Sequence, residues 1–133
     1  MTPDELLVCA KTVFGEARGE SAAGQRAVAH VIRNRLAAQP KYGVGWAGVA
    51  LRPRQFSCWN ENDPNLAKLQ KADVERSAGL RACLISFLEA LDEADFTHGS
   101  LHYHTLTVSP RWAAGKHPAL RLGGHLFYSD IDK

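Results

Sequence analysis

The sequence predicts an α+β fold that is mainly α: a single domain over residues 1–133 with a small β-hairpin region near the C-terminus. Three observations lead there. Apolar residues recur at helical spacing, behind good N-cap residues, through roughly the first ninety positions. The following stretch switches to strand-like alternation and carries a Gly123-Gly124 turn. With 133 residues, 45% of them hydrophobic, the chain can bury one proper core but not two.

The first helix should start at Thr2-Pro3-Asp4-Glu5, where Thr2 caps, Pro3 suits the first helical position and Glu5 completes a capping box. Leu6, Leu7, Ala10, Val13 and Phe14 then form an apolar face that ends at Gly15. A second helix starts near Ser21, its faces marked by Val28, Val31, Ile32, Arg35 and Leu36, with Pro40 beyond its end. Residues 41–63 are mixed, with a short apolar piece from Val44 to Leu51 and then a turn-rich stretch carrying Phe56 and Trp59. Asp63-Pro64 reads as the start of a short helix through about Gln70. Ser77 to Leu91 is the core helix, with Leu80, Cys83, Leu84, Phe87, Leu88 and Leu91 on one broad face. Leu101 to Thr105 alternates as a strand, and Ala119 to Leu122 pairs with His125 to Tyr128 as a hairpin.

A net charge of +2 gives no strong pull toward nucleic acid. No stretch reaches the roughly 20 apolar residues of a membrane span, so no membrane insertion is expected. The N-terminus lacks a basic region and a long apolar run, and so does not read as a signal peptide. Three cysteines, Cys9, Cys58 and Cys83, are an odd number without metal-type spacing, which fits a reducing compartment.

Two carboxylates, Glu16 and Glu20, are the first candidates for chemistry. Glutamates flanking helix ends are often plain exposed residues, but position separates these two. The carbonyl-rich end of the first helix, with Val13 and Phe14 nearby, disfavours an ionised carboxylate at Glu16, as a general acid requires. Glu20 lies beside the positive end of the next helix and reads as a residue that starts or braces it. Cys58 with His104 as base is a rival nucleophilic arrangement, although no helix starts at Cys58 to activate it. His102 and His104 would share one face of a strand and offer two metal ligands, with Asp95 or His98 as a third. No closed four-ligand set emerges, so neither a metal nor a cofactor is expected. Gln55, Phe56, Trp59, Tyr103 and Trp112, on non-helical stretches around Glu16, suit a polysaccharide groove, where rings stack on sugars and amides bind their substituents. A non-catalytic polysaccharide-binding module built from the same aromatics is the third reading.

Five blocks in order carry a family resemblance. Phe14-Gly15-Glu16-Ala17-Arg18-Gly19-Glu20 resembles the (Y/F)GEARGE signature of SleB-like cell-wall hydrolases, and Gly24 to Arg35 resembles their G-x-x-A-V-A-x-V-I-x-N-R helix. Gln55-Phe56-Ser57-Cys58-Trp59 is similar to their QFSxW segment, Leu101 to Trp112 to their A-x-H-Y-x…V-x-P-x-W stretch, and Leu122 to Tyr128 to their I-G-x-H-x-F-Y ending. The resemblance implies a lysozyme-like fold acting on peptidoglycan glycan strands as a lytic transglycosylase or muramidase. It makes Glu16 the catalytic acid and Tyr103 its neighbour. Gln55, Phe56, Ser57, Trp59, His102, His104 and Trp112 are the expected substrate-binding residues. Glu61 or Asp63 could supply a second carboxylate for a hydrolytic route. Spore-lytic relatives generally carry a signal peptide and a wall-binding domain. Without them, the expectation is a monomeric phage or prophage endolysin, folded in the host cytoplasm and released by a holin.

Overall fold

The computed structural model describes residues 1–53 and 55–132. Helix α1 (Pro3–Ala17) begins with the predicted capping box. Thr2 Oγ1 accepts the Glu5 amide at 3.1 Å, and Glu5 Oε1 accepts the Thr2 amide at 2.8 Å. Two N–H groups that have no intrahelical partner are thereby satisfied. The helix does not stop at Gly15. The Arg18 amide still donates to the Phe14 carbonyl at 3.2 Å, so Glu16 lies on the last turn rather than past it.

Helix α2 (Ala22–Ala37) starts at Ser21, whose Oγ accepts the Gly24 amide at 3.2 Å. Helix α5 (Ala78–Leu91) is capped likewise by Ser77 on the Leu80 amide at 3.0 Å. These three helices pack on one another around Val13, Val28, Ile32, Cys83 and Phe87, each fully buried. Burying side chains of this size favours folding by about 1.5–3 kcal/mol apiece. The buried stripe of α5 is narrower than predicted, since Leu88 is 44% exposed.

Two short helices, α3 (Gly45–Ala50) and α4 (Leu66–Lys71), flank a 3₁₀ turn over Ser57–Trp59. Asp63 does not cap α4. Its Oδ1 accepts the Asn65 amide at 2.8 Å, a side-chain turn that delays the helix to Leu66.

The predicted hairpin is present and gains a partner. β1 (His102–Thr105), β2 (Leu120–Leu122) and β3 (His125–Tyr128) form an antiparallel sheet in the order β1-β3-β2, with Tyr103 opposite Phe127 and Leu122 opposite His125. A lone hairpin is marginal in water, and the third strand supplies the missing pairing. Gly123 turns the hairpin with φ 56°, a conformation that favours glycine.

The acidic segment before β1 is tied to α2. Arg33 donates to the Ala90 and Glu93 carbonyls at 2.9 and 2.6 Å, and Asn34 donates to Asp95 and to the Ser100 carbonyl, both at 3.0 Å. The fully buried His30 sits 2.8 Å from Glu93 through Nε2. These bonds fix where the chain enters β1, and therefore where Tyr103 points. Among the described residues, no helix is long and apolar enough to cross a membrane.

Candidate active site

Glu16 projects from the last turn of α1 and accepts hydrogen bonds at both oxygens. Tyr103 donates its hydroxyl to Oε1 at 2.5 Å; Ser57 Oγ and the Cys58 amide approach Oε2 at 3.3 and 3.2 Å. The local sequence explains this convergence. Gly15 allows the 3₁₀ turn to lie directly on α1, because a Cβ there would stand 2.5 Å from Cys58 Cβ. Trp59 Nε1 then pins the turn by donating to Thr12 Oγ1 at 2.8 Å. Period-2 alternation puts Tyr103 on the opposite side of β1 from His102 and His104. There it packs against Phe127 and edge-on against His125, at ring separations of 5.6 and 5.2 Å.

Burial and the adjacent Glu16 carboxylate push the Tyr103 phenol well above its ordinary value. Tyr103 therefore keeps its proton and serves as a fixed donor to Glu16.

The Glu16 carboxylate opens into a cleft of about 490 Å³ lined by Tyr103, Gln55, Ser57, His104, Trp112 and His125, among others. A recess of about 350 Å³ continues from it past Arg35, Gln55, Tyr103 and Trp112 to His102 and Asp132. Trp112 is 38% exposed, a ring face available for stacking. Within the main cleft, Glu16 is the one carboxylate among the described lining residues. Glu61 lines a separate recess beside Trp59, and Asp63 a small one behind Gly15 and Cys58. Asp132 accepts the Tyr42 hydroxyl and faces Lys41 at 3.7 Å and His102 at 3.6 Å.

The predicted site residues divide into two groups. Glu16, Tyr103, Gln55, Ser57, His104 and Trp112 come together in the cleft, and His102 lines the continuing recess. Phe56 and Trp59 do not join them. Phe56 is 1% exposed and lies under the Arg35 guanidinium, 4.8 Å from ring centre to Cζ, so it supports the site from the core. Trp59 lines its own recess with Leu51, Pro53 and Asn60, its indole N–H spent on Thr12.

His102 and His104 do share one face, as predicted, but they use it to hold Trp112 at ring separations of 5.6 and 5.5 Å. His104 Nδ1 donates to the Thr105 carbonyl at 2.8 Å, which leaves Nε2 to accept from the Tyr128 hydroxyl at 2.9 Å. Burial, with Arg35 nearby, lowers His102 below its ordinary value. Among the described residues, no three His, Cys, Asp or Glu side chains converge as a metal set. Cys58 is buried, and burial followed by the Glu16 charge pushes its thiol up, the reverse of what activates a nucleophile.

Two cleft residues escaped the sequence reading. Arg35 sits on the apolar face of α2 and is only 4% exposed. An arginine at core spacing was the available signal. His125, 4% exposed, stands 3.5 Å through Nδ1 from Glu20. Glu20 itself accepts the Gly124 amide at 2.7 Å, and so braces the hairpin rather than the start of α2.

A glutamate held by a strand tyrosine at the head of a polar, tryptophan-walled cleft is placed to exchange a proton with a bound ligand. The chain belongs to a family described as Cell Wall Hydrolase, whose model matches residues 19–128, beginning just after Glu16. It is similar to spore cortex-lytic enzymes from Bacillus subtilis, 30% identical over 93% of this chain, and from Halalkalibacterium halodurans, 31% identical over the same share. The chain spans 37% and 34% of those proteins, roughly a third of their length. Among solved structures, it superposes on the catalytic domain of the germination-specific lytic transglycosylase SleB from Bacillus anthracis with a TM-score of 0.75 at 26% identity, over 96% of this chain and 95% of that one. The catalytic domain of the Bacillus cereus SleB protein gives 0.74 at 26% identity, over 96% and 91%.

Proposed function

We propose that the protein cleaves the glycan strands of peptidoglycan as a lytic transglycosylase, with Glu16 as both general acid and general base. The observation that carries this reading is that Glu16, the one carboxylate among the described lining residues of the cleft, is held at Oε1 by a tyrosine that keeps its proton. Protonated Glu16 gives its proton to the glycosidic oxygen, and the bond from that oxygen to the anomeric carbon breaks. The sugar's own primary hydroxyl closes onto the anomeric carbon, and its proton passes to the Glu16 carboxylate. The acid is regenerated and no water is consumed. Ser57 suits both halves, because a hydroxyl donates to the carboxylate and can turn to accept from the acid. Tyr103 holds the carboxyl in place throughout, and Trp112 offers a stacking face for a sugar ring.

Support also comes from the relatives. One superposed neighbour is described as a lytic transglycosylase, and the curated relatives as spore cortex-lytic enzymes. Clearing of a purified peptidoglycan suspension tests the reading. The wild-type protein should clear it equally well after thiol alkylation and in the presence of a chelator. Activity abolished by either reagent would instead favour Cys58 or a histidine-bound metal, and binding without clearing would indicate a wall-binding module.

A further inference from the structure

We infer that Arg35 is a specificity-determining positioning residue, which fixes the Gln55 amide so that its NH₂ group is presented to a carbonyl oxygen of the substrate. The inference rests on the proposed glycan-strand activity for its ligand: the acetamido carbonyl of an N-acetylated sugar.

Arg35 is unusual in its surroundings. It is 4% exposed, yet among the described residues no carboxylate lies within salt-bridge distance. Burial lowers its basicity, and the more distant Glu16 and Asp132 charges act in the opposite direction. An unpaired buried cation is costly, so its fixed geometry calls for a use beyond packing. The guanidinium lies over the Tyr42 and Phe56 rings, at 5.3 and 4.8 Å, which sets its plane. Its Nε donates to the Leu101 carbonyl at 2.7 Å, just before β1, and Nη1 donates to Gln55 Oε1 at 3.2 Å.

The direction of that last bond is dictated by chemistry. A guanidinium has five donors and no acceptor, so the amide atom facing it must be the oxygen. Gln55 is exposed, lines both the Glu16 cleft and the continuing recess, and its Nε2 makes no hydrogen bond among the described residues. Held this way, Gln55 shows the cleft two N–H donors. A sugar acetamido group carries a carbonyl acceptor at a fixed position on the ring. A de-N-acetylated sugar offers an ammonium instead, which cannot accept and which Arg35 repels. The Arg35–Gln55 pair thus selects acetylated strands.

The test measures binding of soluble glycan strands, N-acetylated or chemically de-N-acetylated, to the Glu16→Gln protein by calorimetry, alongside cleavage by the protein with Glu16 intact. Acetylated strands should bind about five- to tenfold more tightly, the scale of one well-placed hydrogen bond. Gln55→Glu keeps the acceptor for Arg35 but removes both donors, so the preference should fall to unity or invert. Arg35→Met, an apolar chain of similar length, should weaken the preference by freeing the amide to turn. Arg35→Lys, which keeps one donor, should restore part of it. Melting temperatures identify any variant that fails to fold, and Gln55→Glu, on an exposed side chain, carries the test in that case. An unchanged preference in Gln55→Glu, or no preference in the parent protein, would overturn the inference. Preference without cleavage would count against the lytic reading and leave this one standing.

Discussion

Glu16 and Glu20 stand four residues apart, and each reaches across to the C-terminal sheet, yet they meet opposite surroundings. Glu16 accepts the Tyr103 hydroxyl from β1 and faces an open cleft. Glu20 accepts the Gly124 amide and is enclosed by glycines: a Cβ at Gly24 would stand 2.9 Å from its own Cβ, and one at Gly123 would meet Oε1. Two residues of the same type therefore meet different surroundings: Glu16 has room beside it for a ligand, whereas Glu20, 21% exposed, is bonded to the hairpin backbone and faces His125. The glycines make the close approach to Glu20 possible.

The sharpest break in that comparison is Glu16→Gln. Activity on peptidoglycan should fall by about 10² to 10⁴, the loss expected without general acid–base assistance, while the melting temperature stays near that of the parent. Tyr103→Phe comes next. A hydrogen bond to a charged group contributes about 1.5–3 kcal/mol, so the rate should drop roughly 10- to 100-fold if the bond matters most in the transition state. Initial rates at saturating substrate check this; an unchanged rate would reduce Tyr103 to packing.

Glu20→Ala should show the opposite pattern. The Gly124 amide loses its partner, at a cost of about 1–3 kcal/mol in stability by denaturant unfolding. The catalytic constant of the folded protein should stay within about twofold, since Glu20 does not line the cleft. A hundredfold loss of rate with unchanged stability would place Glu20 in the chemistry.

The smallest expected effect is the pH dependence of stability. Burial, with the Asp132 hydrogen bond adding to it, raises Tyr42 to about 12, and burial raises Cys9 to about 12 and Cys83 to about 11. The unfolded chain releases these protons first, so stability should decline as pH rises above about 9. The His30 hydrogen bond lowers Glu93, and the Tyr42 hydrogen bond lowers Asp132. The unfolded chain takes up those protons first, so stability should also decline as pH falls below about 4.5. Melting temperatures across pH 3–11 check both limbs; a rise toward pH 11 would contradict the burial of these groups.

Local signals were readable before the structure. Thr2, Ser21 and Ser77 announce their helices because a cap depends on residues three positions away. The hairpin was legible from its glycine turn. What escaped is non-local. Nothing near Glu20 in sequence shows that Gly124, 104 positions away, would claim its side chain. Phe56 and Trp59 look alike as loop aromatics, and only the packing of the 3₁₀ turn on α1 removes both from the main cleft. Arg35 read as one polar residue on a helix face. Its burial among Tyr42, Phe56 and Gln55 depends on three segments meeting. The family blocks pointed to residues that the fold brings largely to one cleft, and the geometry separated those that line it from those packed beneath or beside it.

The central claim is that one carboxylate, Glu16, cleaves the strand without water. Mass analysis of the ends released from purified peptidoglycan tests it most directly. Anhydro-muramic ends, lighter by one water than reducing ends, are predicted, and they should vanish with Glu16→Gln. Reducing muramic or glucosamine ends would mean hydrolysis, and free stem peptides from intact strands would mean a different enzyme altogether.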